Sequence, residues 1–167
     1  MDKQEARRNI LNKRKNMDSI NASKVCFDAL IISNILAKYK RIGLYYPIGS
    51  EINLMPLVDY YPDKEFYLPS TGSSLSFRRY NGKLVPGPFR TMEATGSVID
   101  RDKIECFIIP CVGISTDNRR IGYGKGYYDR YLDGYSGLKI GVCYKNFSML
   151  DIKMDESDIR LDIIITG

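Results

Sequence analysis

The run Ile104–Ile114 (IECFIIPCVGI) limits the possible folds of this chain more than any other stretch. It is apolar almost throughout and shows no polar alternation, so a strand formed here must be covered on both faces. Such a strand belongs at the centre of a sheet with helices above and below it, and the flanking sequence supplies them. Asp2–Met17 and Asn21–Tyr39 carry helical spacing. Ser19 or Asn21 is expected to cap the second helix, with Val25, Ala29, Ile32 and Leu36 on its buried face. The period then changes. Strands are predicted at Arg41–Tyr46, Glu65–Leu68, Leu138–Tyr144 and Leu161–Thr166, and short helices at Asn53–Tyr61 and Gly126–Leu132. Leu75–Tyr80 and Lys83–Val85 flank Asn81-Gly82, which reads as a hairpin turn. Residues 86–97 hold two prolines and two glycines and read as an irregular excursion. Strands alternating with helices predict one α/β domain over residues 1–167, with a mostly parallel sheet.

Composition narrows the chemistry. The chain has no histidine, which excludes Ser-His-Asp and Cys-His nucleophiles and the usual zinc sites. Cys26, Cys106, Cys111 and Cys143 form no CxxC pair, and three of them lie in apolar, strand-like segments. Catalysis would then fall to carboxylates, lysine, arginine, tyrosine, backbone amides or a hard metal. No apolar run is long enough to span a bilayer. The charged N-terminus lacks the core of a signal peptide, so a cytoplasmic protein with no membrane partner is expected.

Charge is unevenly distributed. Residues 1–17 carry Lys3, Arg7, Arg8, Lys13, Arg14 and Lys15 against Asp2 and Glu5, while residues 151–167 carry five acids against Lys153 and Arg160. On a helical wheel Lys3, Arg7, Ile10, Arg14 and Met17 fall within about 80° of one another, a stripe half apolar and half cationic. Such a stripe suits an anion site, although a basic helix can equally be solvated. No nucleic-acid recognition motif accompanies it, and aromatic residues are not interleaved with the cations.

The densest functional pattern is Arg119–Arg130, RRIGYGKGYYDR. Gly122, Gly124 and Gly126 alternate with Tyr123 and Lys125. Glycines there permit positive φ and let backbone N–H groups close on an anion beside the lysine. A helix starting near Gly126 would add its free amides. The loop matches neither the Walker nor the dinucleotide pattern, and as a bare glycine-rich loop it can equally be a structural turn.

This segment resembles the motif of the 5-formyltetrahydrofolate cyclo-ligases, close to G-x-R-[LI]-G-x-G-K/G-G-Y-Y-D. The match runs through Arg120, Gly122, Gly124, Gly126, Tyr127, Tyr128 and Asp129. Lys3-x-x-x-Arg7, Tyr46–Glu51 (YPIGSE), FIIPCVGI at 107–114 and LDIIIT at 161–166 agree in the same order. The chain departs from the pattern at Asn118 (usually Gly), Ser50 and Ser115 (usually acids) and in the degraded PFRTMEAT segment. The resemblance implies a three-layer α/β/α sandwich and an ATP- and Mg²⁺-dependent cyclisation of 5-formyltetrahydrofolate to 5,10-methenyltetrahydrofolate through an iminophosphate. It implies ATP contacts at Lys3, Arg7, Arg120, Ile121, Gly122, Tyr123, Gly124, Lys125, Gly126, Tyr127 and Tyr128. Tyr46, Glu51, Tyr123, Gly124, Lys125, Gly126 and Tyr127 would line the folate pocket, and Asp129 and Asp162 would hold Mg²⁺. Lys125 and Arg120 are the expected catalytic cations, because phosphoryl transfer needs alignment and charge neutralisation rather than a protein nucleophile. A monomer is expected. Two other readings stay open: a nucleotide-binding regulator of the same fold without turnover, and a nucleic-acid module using the basic N-terminus.

Overall fold

The computed structural model describes residues 1–167. Helices α1 (Lys3–Arg14) and α2 (Ser19–Ser33) lead into strand β1 (Arg41–Gly43) and the short helix α3 (Pro56–Tyr60). Next come β2 (Glu65–Thr71), β3 (Leu75–Arg79), β4 (Leu84–Pro86), β5 (Met92–Ala94) and β6 (Val98–Ile99). Strands β7 (Cys106–Pro110), β8 (Gly113–Ile114) and β9 (Arg120–Ile121) precede helix α4 (Tyr127–Tyr131), and β10 (Leu138–Cys143) and β11 (Ile163–Thr166) close the chain. Seven strands form one sheet in the order β11-β10-β7-β1-β2-β3-β6. From β11 to β2 the pairing is parallel; β3 and β6 add to the far side antiparallel.

Strand β7 is an interior strand, third in this order between β10 and β1, and is buried at every position. Its side chains alternate between two cores, as the pleat requires. Cys106 and Ile108 join Ile10, Cys26, Leu30 and Leu57 beneath α1, α2 and α3. Phe107 and Ile109 join Phe77, Leu132 and Tyr135 beneath α4. The continuous apolar run therefore serves two helix layers at once, which makes the α/β/α sandwich. Phe107 is fully buried and meets both Phe77 and Tyr135 edge-on at 5.0 Å, a setting in which truncation to Ala typically costs about 3–5 kcal/mol.

Local expectations and the fold part company in four places. Helix α2 is capped by Asp18, whose carboxylate accepts from the Asn21 N–H at 3.0 Å. It buries Ala22, Cys26 and Leu30, and leaves Val25 and Ile32 44% and 83% exposed. Apolar side chains occur on several sides of this helix, so the wheel alone does not select the face that meets the sheet. The helix also ends at Ser33, where Asn34 turns left-handed at φ 57°, and Leu36 is buried beyond its end.

Secondly, Asn81-Gly82 does not join paired strands. Both edges of β3 are taken, by β2 and β6, so β4 turns away to pair with β5. Thirdly, the stretch expected to be irregular contains strand β5, which completes that β4–β5 arm, and a 3₁₀ turn at Pro88–Arg90, and β6 begins directly after it. Finally, β2 continues through Pro69 to Thr71. Its pairing with β1 stops at Tyr67, and a proline's missing N–H is tolerated where a strand has a neighbour on one side only.

Candidate active site

In a parallel sheet the segments that follow the strands all emerge at one end. Here the segment after β1, the ends of β2 and β7, and the glycine loop between β9 and α4 converge on one cavity of about 440 Å³, a size typical of small-molecule sites. Its lining mixes apolar side chains with Lys3, Glu51, Arg120, Lys125, Asp129, Asp155 and Asp158.

The loop is shaped by its glycines and held from α1. Gly124 and Gly126 have φ values of +99° and +70°, a region that residues bearing a Cβ rarely adopt. Arg7 Nε donates to the Gly122 carbonyl at 2.6 Å, and a Cβ on Gly124 would come within 3.1 Å of the same guanidinium. Arg7 is not itself part of the cavity lining; it anchors the loop backbone. Ile121 also lies outside the cavity, fully buried in the core, because on β9 its side chain points opposite to that of Arg120. Helix α4 spans five residues rather than the seven expected, so its dipole adds little to the loop.

Arg120 is buried. Its Nε donates to the Pro110 carbonyl at 2.8 Å, and its guanidinium lies 4.6 Å from the Tyr128 ring centroid. The Tyr128 hydroxyl is buried in the cavity wall without a hydrogen-bond partner in the protein. Lys125 sets its ammonium 3.4 Å from the ring centroid of Phe89, at the tip of the β4–β5 arm. Tyr127 donates from its hydroxyl to the Gly72 carbonyl at 3.1 Å, so the loop is tied across the cavity to the end of β2.

Glu51 forms the buried acidic part of the lining. One carboxylate oxygen accepts from the Ile48 N–H at 2.7 Å and the other from the Tyr123 hydroxyl at 3.1 Å. Burial raises its pKa above the usual carboxylate range, opposed but not cancelled by the Ile48 amide, Arg14, Tyr123 and Arg120. Burial, reinforced by the Glu51 charge, pushes the Tyr123 phenol up to about 12. Tyr46 lines the same cavity at 36% exposure.

At the opposite wall Lys3 bridges Asp155 and Asp158, with Nζ–O distances of 2.8 Å to each. Burial works against its charge, but hydrogen bonds to the two carboxylates outweigh it and raise its pKa. Asp129 lines the cavity, with Oδ1 accepting from the Ile159 N–H at 3.0 Å. Asp162 is not among the lining residues. It immediately precedes β11, and its carboxylate accepts from the Lys139 N–H at 2.8 Å and lies 3.6 Å from Lys139 Nζ. Parallel pairing of β10 with β11 puts that position at the amino ends of the strands, whereas the cavity lies at their carboxyl ends. The expected convergence of Asp129 and Asp162 on one ion is therefore corrected: of the two, only Asp129 reaches the cavity.

Several contributors to the site are not singled out by the sequence pattern. Phe89 lies in the 86–97 stretch, where no periodicity marks it. Asp155 and Asp158 lay in the acidic closing segment, whose charge excess was the available signal. Arg14 stood on the cationic stripe, but only the fold shows that it is buried against Tyr123.

The model of the 5-formyltetrahydrofolate cyclo-ligase family matches residues 1–167. A 5-formyltetrahydrofolate cyclo-ligase from Mycoplasma pneumoniae is 31% identical over 173 residues, covering 99% of this chain and 98% of that protein. Among solved structures, a 5,10-methenyltetrahydrofolate synthetase from Aquifex aeolicus superposes with a TM-score of 0.87 at 32% identity, covering 99% of this chain and 90% of that one. A 5,10-methenyltetrahydrofolate synthetase from Mycoplasma pneumoniae gives 0.82 at 28% identity, covering 99% and 98%.

Proposed function

The chain belongs to the 5-formyltetrahydrofolate cyclo-ligase family, and from that premise we propose that it converts 5-formyltetrahydrofolate to 5,10-methenyltetrahydrofolate with ATP as co-substrate. The observation that carries this reading is the union of two unlike walls in one cavity. A cationic glycine loop with Lys125 and Arg120 suits a polyphosphate, and a buried Glu51 with Tyr45, Tyr46 and Ile48 suits a flat heterocycle with N–H donors.

In this mechanism the formyl oxygen attacks the terminal phosphorus of ATP, and ADP leaves with the electron pair of the broken P–O bond. The product is an iminophosphate at N5. The substrate's own N10 then adds to the activated carbon, N10 loses its proton, and inorganic phosphate departs as the methenyl bridge forms. The protein supplies no nucleophile, in keeping with a chain that lacks histidine. Its work is to align the reactants and neutralise charge on the moving phosphoryl group. Lys125 is the group for that task, and Arg120, held by Pro110 and Tyr128, is a fixed positive charge behind the loop.

The donor set is compatible with Mg²⁺, a hard cation commonly held by one or two carboxylates together with water and phosphate oxygens. Asp129 would hold it. When bound, the ion would offset negative charge on the phosphates. The direct test follows the absorbance of the methenyl product from 5-formyltetrahydrofolate with and without Mg-ATP. Turnover strictly dependent on both is expected, and a folded protein that produces none would refute the reading.

A further inference from the structure

Arg14 has no role in the reading above, yet it is 5% exposed and charged. A buried guanidinium requires hydrogen bonds and a counter-charge. Its Nε donates to Ser50 Oγ at 3.1 Å, and its Nη2 donates to the Tyr123 hydroxyl at 2.6 Å. That hydroxyl in turn donates to Glu51 Oε2 at 3.1 Å. Arg14 therefore grips the residue preceding Glu51 and the residue bonded to it, and Glu51 is the one carboxylate in the network. Hydrogen-bonded chains that end in opposite charges are stronger than neutral ones.

The surroundings of Glu51 explain why this matters. Tyr45 after β1, Cys111 after β7, Tyr123 in the loop and Tyr128 on α4 face it without supplying a positive charge. Arg14 from α1 and Arg120 from β9 are the cations that act on it. Arg120 is already committed to the Pro110 carbonyl and the Tyr128 ring. Arg14 alone is joined to Glu51 by an unbroken pair of hydrogen bonds.

We propose that Arg14 is a positioning residue that acts through the Tyr123 hydroxyl to keep Glu51 ionised and fixed against the cavity, where it accepts hydrogen bonds from N–H donors of the substrate. This rests on the folate reading for the identity of that substrate; the coupling between Arg14 and Glu51 does not. It also accounts for the cationic stripe on α1, which has three destinations: Lys3 at the acidic wall, Arg7 at the loop backbone and Arg14 behind Glu51.

Two measurements on the full chain test the inference. The first is the pH profile of kcat/KM for 5-formyltetrahydrofolate in wild type, Arg14→Met, Arg14→Lys and Tyr123→Phe. Losing the cation raises the Glu51 pKa, so the acid limb should move to higher pH by about one unit in Arg14→Met. Arg14→Lys, which keeps the charge, should bring the limb most of the way back, and Tyr123→Phe should shift it by an intermediate amount. KM for the folate should rise more than KM for ATP. An Arg14 that merely supports packing would lower the rate equally at every pH, and an unmoved acid limb overturns the proposal. If Arg14→Met does not fold, the other two variants still decide it.

The second is a melting-temperature cycle with Glu51→Gln, Arg14→Met and the double variant at neutral pH. Glu51→Gln should recover part of the stability that Arg14→Met loses; additive effects refute the coupling. This cycle needs no turnover. Wild-type protein inactive on the folate would sink the substrate assignment alone and leave the coupling to be decided by the cycle.

Discussion

At the residue scale, the site combines groups whose charges are held in place before any ligand arrives. Lys125 is the exception. Its ammonium rests 3.4 Å from the Phe89 ring centroid instead of pairing with a carboxylate, a contact of roughly 0.5–2 kcal/mol. A polyphosphate offers a stronger partner, so Lys125 can leave the ring at small cost. Lys125→Ala is expected to lower kcat by about a hundredfold to a thousandfold, as removal of one transition-state charge contact usually does, while leaving the melting temperature of the free protein within about a degree or two. Steady-state kinetics and thermal denaturation check this together. Unchanged kcat would remove Lys125 from the chemistry.

At the element scale, α1 does more for the site than for the core. It buries Ala6, Ile10 and Arg14, and its remaining inward-facing cations reach the cavity wall and the loop. Deleting residues 1–8 would remove Lys3 and Arg7 but, of the buried residues, only Ala6. The shortened protein should fold and show a raised KM for ATP, since Gly122 loses its anchor and the Asp155–Asp158 pair loses its counter-ion. Kinetics of the truncated chain would remove Lys3 and Arg7 from nucleotide binding if KM for ATP stayed at the wild-type value. The β4–β5 arm is the other element that serves the cavity. Glu93 on β5 accepts from Ser70 Oγ at 2.8 Å and from the Thr71 N–H at 3.0 Å. The arm is thereby pinned to β2, with Phe89 held above the glycine loop.

At the scale of the whole molecule, the cavity draws on both ends of the chain. Lys3 pairs with Asp158 across 155 positions of sequence, and Glu51 meets Tyr123 across 72. A ligand bound there holds several elements together, so its binding energy appears as global stability. Mg-ATP at about 100 times its Kd should stabilise the native state by about 2.7 kcal/mol. For a domain of this size that corresponds to a rise in melting temperature of roughly 5–10 °C. Differential scanning fluorimetry across an ATP titration checks it, with Mg²⁺ alone as the control. A melting temperature indifferent to Mg-ATP would argue against nucleotide binding to the free protein.

The sequence by itself was enough to determine the fold class, because a central strand buried on both faces leaves an apolar run that only a two-sided layered sheet can cover. It also determined the glycine loop and the stripe of Lys3, Arg7 and Arg14, since local backbone freedom and helical period are properties of neighbouring residues. Other features depended on pairing between distant segments. Which face of α2 is buried depends on where the sheet lies. Whether Asn81-Gly82 closes a hairpin depends on which strands have already claimed the edges of β3. Asp129 and Asp162 are both acids near apolar segments, but one follows the glycine loop at the carboxyl ends of the strands and the other precedes β11 at their amino ends. Strand direction separates them, and strand direction is set only when the parallel sheet forms. The Arg14–Tyr123–Glu51 chain is the clearest case: its members come from α1, the glycine loop and the segment after β1, and its hydrogen bonds exist only once the three have packed together.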